Sequence, residues 1–328
     1  MNPLSVHRGT TMSDPLHAAT ARAFPDRSVE TIESRNARPG NETGRVRFAD
    51  ADPLYLKTAT DTTTRLERET AATRYAAENC PVGVPSVVAA DPAGDPPYLA
   101  TAPLPGTALN EPWTDGADRE RLLRRAGQSL AGVHEARFDR AGRVVGGDTD
   151  GLELTDETWT ETLAATVEWR GDDWFADRFS GLPPRLADLI REVDPTVEGR
   201  PALVHGDASR LNVHVDPGGL LDWERALVGD PAFDLADATF HLTGQPDVTD
   251  DERPALREAL HEGYRERAGA LPPGLDRWRP LYRAVAYLLV PQAFDDWSTE
   301  AEAPADDLAA DVREEFDERL RAAREALT

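Results

Sequence analysis

The hydrophobic pattern divides the chain into a strand-rich first third and a mainly helical remainder. Residues 1–25 carry little pattern beyond a short helix expected over Ala18–Phe24, ended by Pro25-Asp26. From Ser28 the text changes: Val29, Thr31 and Ile32 favour a strand. Arg45-Val-Arg-Phe48 and Leu54-Tyr-Leu-Lys57 follow as two more strands, after a polar stretch, Asn36 to Gly44, that reads as a tight loop. Thr62 to Glu78 is rich in alanine and charge and predicts a helix. Its exit at Asn79-Cys-Pro81 leads to a hairpin over Asp91–Pro97 and a last strand, Tyr98–Thr101.

Beyond residue 104 helical spacing takes over. Leu122, Ala126, Leu130 and His134 recur four apart and set one apolar face of a helix over Asp118–Glu135, which makes His134 a packed structural residue. Asp139–Asp150 is glycine-rich and loop-like. Residues 155–194 predict two or three helices in which Trp159, Trp169 and Trp174 anchor an otherwise solvated acidic face. Further helices are expected from near Phe233 and over 252–267, 276–297 and 306–327, with Pro291 ending or kinking the apolar third of these. No internal repeat is present.

With 328 residues the chain can bury a full core as one large domain or two joined lobes. It has no run of transmembrane length and no basic-then-apolar leader. The single cysteine, Cys80, excludes an internal disulfide framework and reads as a small buried residue; a reduced cytoplasmic location is expected. Met12 is the only methionine besides Met1 and so a second candidate start of translation. The formal charge of −24 argues against nucleic acid and anionic membranes as partners. Of 36 basic residues only Lys57 is lysine, and acid excess with lysine so depleted suggests adaptation to a high-salt cytoplasm, where screening removes self-repulsion.

The chemistry concentrates in Leu203-Val-His-Gly-Asp-Ala-Ser-Arg-Leu-Asn-Val-His-Val-Asp216, continuing to Leu220-Leu-Asp-Trp-Glu224. Two short strands joined by an Asp216-Pro-Gly-Gly turn put Asp207 before the first strand, Asn212 within it and Asp222 after the second. A hairpin brings these three together, and three hard oxygen donors suit Mg²⁺. The spacing His-x-Asp-x-x-x-x-Asn with a later Asp is the catalytic-loop arrangement of kinase-type phosphoryl transfer.

With Leu221-Asp-Trp-Glu224 and Val228-Gly-Asp-Pro-Ala-Phe-Asp-Leu-Ala236, this stretch resembles the aminoglycoside phosphotransferase and choline kinase-like family of small-molecule kinases. The resemblance extends over about residues 35–300. It implies an α+β, protein kinase-like two-lobed fold: an extension over 1–25, a nucleotide-binding lobe of antiparallel strands plus one helix over 26–102, and a mainly helical catalytic and acceptor-binding lobe over 103–328. It also implies ATP and Mg²⁺, and a small-molecule hydroxyl as acceptor. Asp207 would take the hydroxyl's proton, while Asn212 and Asp222 would hold the metal. Lys57, at the end of its strand, falls where this architecture places the lysine that holds the α- and β-phosphates.

Two glutamates are available to pair with Lys57. Glu67 closes a capping box with Thr64, so Glu69, in a Leu-x-Arg-Glu pattern similar to the family's, is the expected partner. Gly40, Asn41, Glu42 and Thr43, with Gly44, would lay backbone N–H groups over the phosphates. Leu104-Pro-Gly106 matches the lobe connector, with the Ala102 carbonyl and the Leu104 N–H as adenine contacts, since Pro103 has no N–H to donate. His205, Asp230 and Asp234 take supporting roles. Ser209-Arg210-Leu211 departs from the family's usual small residues, and Arg210 reads either as a phosphate contact or as a solvated side chain. A nucleotide-binding pseudokinase scaffold is the alternative; the presence of Lys57, Asp207, Asn212 and Asp222 weighs against it. A protein kinase is disfavoured by Gly206 in place of arginine and by Leu221-Asp-Trp in place of Asp-Phe-Gly. The acceptor itself is not written in the sequence.

Overall fold

In a computed structural model, which describes residues 14–38, 41–59 and 63–327, helices and antiparallel strands form two packed regions. The first is a five-stranded sheet of β1 (Val29–Arg38), β2 (Asn41–Phe48), β3 (Leu54–Ala59), β4 (Val87–Asp91) and β5 (Tyr98–Thr101), in the order β1-β2-β3-β5-β4. Helix α1 (Asp14–Ala23) covers one face: Leu16, Ala19 and Phe24 are buried against Val46, Phe48, Leu54, Leu56 and Ala100. Residues 14–24 are therefore packed structure rather than weakly ordered extension. Their apolar residues are spaced to meet a sheet that a short sequence window does not show.

The period-2 alternation of β3 buries Leu54 and Leu56 on the α1 side and turns Tyr55 and Lys57 to the other. That second face receives α2 (Thr63–Asn79), whose Leu66 packs with Ala59 and Leu99. The polar stretch before β3 is not an open loop. Asn41, Glu42 and Thr43 are β2 residues, registered against Arg38, Ala37 and Asn36 on one side and Ala59, Thr58 and Lys57 on the other. A strand paired on both edges spends its backbone N–H groups on the ladder, so these three are not free to cradle phosphates. Gly40 lies outside the described residues.

The second region is built on helices. β6 (Thr107–Ala108) and α3 (Asn110–Thr114) lead into α4 (Arg119–Val133), which Asp118 caps through the Arg121 N–H. Asp139–Asp150, expected as a loop, contains the strand β7 (Gly142–Gly147), paired to β8 (Leu152–Leu154). At Gly142 and Arg143 the strand also pairs with β12 (Leu227–Gly229), far along the chain; local propensity carries no trace of that partner. Then come α5 (Trp159–Trp174), α6 (Leu182–Val193), β9 (Ala202–Val204), the hairpin β10 (Val213–Val215) and β11 (Gly219–Leu220), and α7 (Pro231–Thr243). The chain ends in α8 (Arg253–Ala268), α9 (Leu275–Tyr287), the short helices α10 (Leu289–Gln292) and α11 (Phe294–Trp297), and α12 (Ala305–Leu327).

One apolar core unites these helices, with Trp223, Trp278, Phe179, Phe233, Phe294 and Phe316 fully buried. α4 and α8 cross closely because each offers a glycine: a β-carbon at Gly127 would lie 2.1 Å from the Leu260 carbonyl, and one at Gly263 would lie 1.9 Å from that of Arg124. Cys80 is buried, as its sequence context suggests, and burial pushes its thiol up to about 12. Trp159 turns into the core, with its indole N–H on the Tyr282 hydroxyl at 3.1 Å, whereas Glu161 and Glu168 face outward and share Arg191. Among the described residues no helix is long and apolar enough to cross a membrane.

Candidate active site

Where the sheet meets the helical region, β3 and α2 deliver Lys57 and Glu69, and the turn after β11 delivers Asp222 and Glu224. The Lys57 Nζ lies 2.8 Å from Glu69 Oε2, 2.8 Å from Asp222 Oδ1 and 2.9 Å from Glu224 Oε2. Lys57, Glu69 and Glu224 are nearly buried, while Asp222 is partly open to solvent. Burial opposes the lysine's charge, but Asp222, Glu224 and Glu69 more than offset it and hold the ammonium well above its ordinary range. Glu69 moves the opposite way for a carboxylate: burial, with Asp222 and Glu224 adding to it, raises it to about 8 against the pull of Lys57. Three carboxylates share one ammonium.

Oxygens of Glu69, Asp222 and Glu224 lie within 4.8 Å of one another, a donor set that suits a hard cation. Asp222 reaches this position from left-handed backbone, φ 64°, a conformation that aspartate tolerates better than most residues. A single 3₁₀ turn, Trp223–Arg225, then returns Glu224 to the same point. Glu224 stands in the Leu221-Asp-Trp-Glu224 motif, but nothing in the sequence assigns it a role. The signal was its place two residues after Asp222, which meets Lys57 only once the turn between them is known.

The catalytic-loop candidates hang from α7. Asp234, fully buried, accepts the His205 and Gly206 N–H groups at 2.9 and 2.8 Å, and its Oδ2 also receives His134 Nε2 at 2.9 Å. His134 in turn contacts the Tyr264 hydroxyl at 2.8 Å. His205 donates from Nε2 to the Leu221 carbonyl at 2.9 Å and accepts the Asp207 N–H on Nδ1 at 3.3 Å, which ties the two halves of the loop together. Gly206 has φ +74°, and a β-carbon there would meet the Arg225 carbonyl at 2.7 Å. This fixes glycine where a protein kinase carries arginine. Asp230 caps α7 through the Ala232 N–H and takes a 2.6 Å hydrogen bond from the Tyr282 hydroxyl; burial raises its carboxyl to about 6.

Asn212 stands just before β10 rather than inside it. Its carbonyl accepts the Leu221 N–H at 2.9 Å, which sets it beside the chain that leads into Asp222. Its amide donates to the Asp207 carbonyl at 2.9 Å and leaves Oδ1 as the oxygen donor. The Asp207 carboxylate is about one-fifth exposed and lies between Arg225, at 3.8 Å, and His241, at 3.5 Å. Ala102 gives its N–H to Ser86 at 2.9 Å where β5 leaves the sheet, and Leu104 sits half-buried two residues on.

Arg210 takes neither of the roles expected for it. It is buried, stacked 3.8 Å from the centre of the Trp113 ring, with Nη1 2.9 Å from both Asp247 carboxylate oxygens and with Nε and Nη2 forked onto the Leu242 carbonyl. A guanidinium that satisfies a carboxylate, a carbonyl and an aromatic face at once ties the catalytic loop to α3 and to the turn after α7.

The sequence matches the family described as "Phosphotransferase enzyme family" over residues 35–281, and the chain belongs to it. No curated protein matches the chain by sequence. Solved structures resemble it over nearly their whole length. A Thermobifida fusca protein described as a fructosamine-3-kinase is 20% identical, with 94% of this chain and 98% of that one covered at a TM-score of 0.60. The aminoglycoside phosphotransferase APH(4)-Ia is 16% identical, with coverages of 94% and 98% and a TM-score of 0.60. The macrolide 2′-phosphotransferase MphH of Brachybacterium faecium is 18% identical, with coverages of 96% and 98% and a TM-score of 0.54. The fold is thus the two-lobed, kinase-like α+β fold, and the chain is an enzyme of the phosphotransferase family.

Proposed function

We propose that the protein transfers the γ-phosphoryl group of ATP to a hydroxyl of a small molecule. The observation that carries this reading is the convergence of Lys57, Glu69, Asp222 and Glu224 next to a braced His205-Gly-Asp207 loop. Lys57 would hold the α- and β-phosphates, with Glu69 fixing the ammonium. Asp207 would orient the acceptor hydroxyl and take its proton as the oxygen bonds the γ-phosphorus and the bond to ADP breaks. Asn212 and Asp222, joined by Glu224, would hold Mg²⁺, which supplies neutralisation of charge on the phosphates when bound.

Nucleotide use has further support: thermostable mutants of APH(4)-Ia have been crystallised as ternary complexes with hygromycin B and either ADP or AMP-PNP. In this reading residues 26–102 would hold the nucleotide and residues 103–328 would supply catalysis and the acceptor site. Adenine would contact the Ala102 carbonyl and Leu104 N–H at the connector. The charge of −24 with a single lysine supports a soluble, cytoplasmic enzyme adapted to high salt, with neither nucleic acid nor membrane as partner.

The test is ADP release and product mass over a panel of aminoglycosides, sugars, choline-like alcohols and amino-acid alcohols, with ATP and Mg²⁺ in molar KCl. One panel member should gain a phosphate, and Asp207→Ala should keep ATP binding while losing roughly 10²–10⁴-fold in turnover. Tight ATP binding with no phosphorylated product from any hydroxyl compound would favour a scaffold instead.

A further inference from the structure

Helix α7 braces the catalytic loop through Asp234, and its next turns carry two more titratable residues, Asp237 and His241, both buried. They stand one helical turn apart on the face towards the loop. His241 Nε2 lies 3.4 Å from Asp237 Oδ2, and on the other side of the ring Nδ1 lies 3.5 Å from Asp207 Oδ1. Asp207, His241 and Asp237 thus form a line from the candidate base into the core. Most of the buried face of α7 is apolar, Phe233, Leu235, Ala236, Ala238 and Leu242, so a histidine there is not explained by packing. Both ring nitrogens fall short of a formed hydrogen bond among the described residues, although the ring is only 2% exposed. A buried polar ring left at that distance costs stability unless another state of the protein uses it, and catalytic hydrogen bonds are often long before substrate binds.

We propose that His241, carried by Asp237, is a positioning residue that fixes the Asp207 carboxylate for taking the acceptor's proton. The inference rests on the reading of Asp207 as that base, and it adds two residues outside the motifs of the catalytic loop. The charged groups facing the ring are Asp237 from its own helix, Asp207 from the loop and Arg225 from the turn after β11. Burial works against the ring's charge, but the two carboxylates more than offset burial and Arg225, which raises the imidazole above its ordinary range. A charged ring with N–H on both sides can hold both carboxylates at once. A neutral ring holds only one.

The test is histidine NMR on the full chain, the His241 ring being assigned through its backbone, with the titration midpoint followed in the wild type and in Asp207→Asn. The midpoint should lie above 6.5 in the wild type and fall by about 1 when the neighbouring charge is removed. An identical midpoint in both proteins would overturn the pairing. With an acceptor found by the panel, His241→Gln should lower kcat about tenfold, leave KM for ATP unchanged and shift the pH profile. Unchanged kcat with only a lower Tm would reduce the residue to a structural one and overturn the proposal. A wild type with no turnover would count against the kinase reading, while the NMR titration would still decide the pair.

Discussion

Removing the ammonium from the carboxylate cluster has the most quantifiable consequence. Lys57→Met keeps the length of the side chain and leaves Glu69, Asp222 and Glu224 within 4.8 Å of one another, two of them nearly buried. Breaking a buried ion pair by removing one partner costs about 3–5 kcal/mol, because the charge left behind is uncompensated. For a chain of this length that is a fall in Tm of about 4–7 °C. The loss should depend on pH, with a definite sign. Glu69 already titrates near 8 in the folded protein against 4.5 for the ordinary side chain, and without Lys57 the cluster must hold its protons still more tightly. The folded variant then binds more protons than its unfolded chain from about pH 4.5 upwards, so its stability falls as pH rises through that window. Scanning fluorimetry at pH 5.5 and pH 8.5 in the same salt should show a small deficit at the first and the full deficit at the second. Millimolar Mg²⁺ should recover part of it at pH 8.5, since a cation that binds only the folded state stabilises it. A Lys57→Met protein that melts within 1 °C of the wild type at both values, with or without Mg²⁺, would refute the reasoning.

Three further outcomes follow from other parts of the fold. Gly127→Ala drives a methyl into the Leu260 carbonyl at the α4–α8 crossing and should cost about 1–3 kcal/mol by urea unfolding. Gly181→Ala, where the methyl meets nothing, should be neutral or slightly stabilising; equal losses would contradict the close approach. Asp230, raised to about 6 by burial, is protonated in the folded state over a window where the unfolded side chain is ionised, so it lowers stability as pH rises from about 4 to 6. Asp230→Asn should remove that slope, on the order of 3 kcal/mol, and an unchanged slope would assign it to another group. Arg210→Ala should cost about 2 kcal/mol through the lost Asp247 and Leu242 contacts, and Arg210→Lys should recover little of it; a lysine variant as stable as the wild type would dispose of the stacked, forked geometry.

What could be read from the sequence follows from how local each feature is. The His205-to-Asp222 hairpin encodes its own turn and spacing, so Asp207, Asn212 and Asp222 are recognisable from the order of residues alone, and Glu69 from its Leu-x-Arg-Glu pattern. The capping box does not separate it from Glu67, because α2 already begins at Thr63 and its first turn holds no acidic residue. Glu224 meets Lys57 through a turn whose left-handed entry at Asp222 has no sequence signature, since the residue is not glycine. The strands β7 and β12 pair with each other across a long stretch of chain, and a glycine-rich segment has no propensity to declare such a partner. The Asn41–Thr43 stretch reads as loop because turn residues mark a tight bend but not how far the strands run towards it. Arg210 offers two readings as a lone charged residue, and neither includes Trp113 and Asp247, which only the fold brings to it.

The central claim is that this site moves a phosphoryl group from ATP to a small-molecule hydroxyl with Asp207 as the base. Its most direct measurement is transfer of labelled γ-phosphate from ATP to the acceptor panel, run in parallel for the wild type and Asp207→Asn at matched ATP occupancy. Label should appear on one hydroxyl compound with the wild type and fall at least about 10²-fold with the variant. Label that appears at equal rates with both proteins, or on none of the compounds while ATP is bound, would contradict the account.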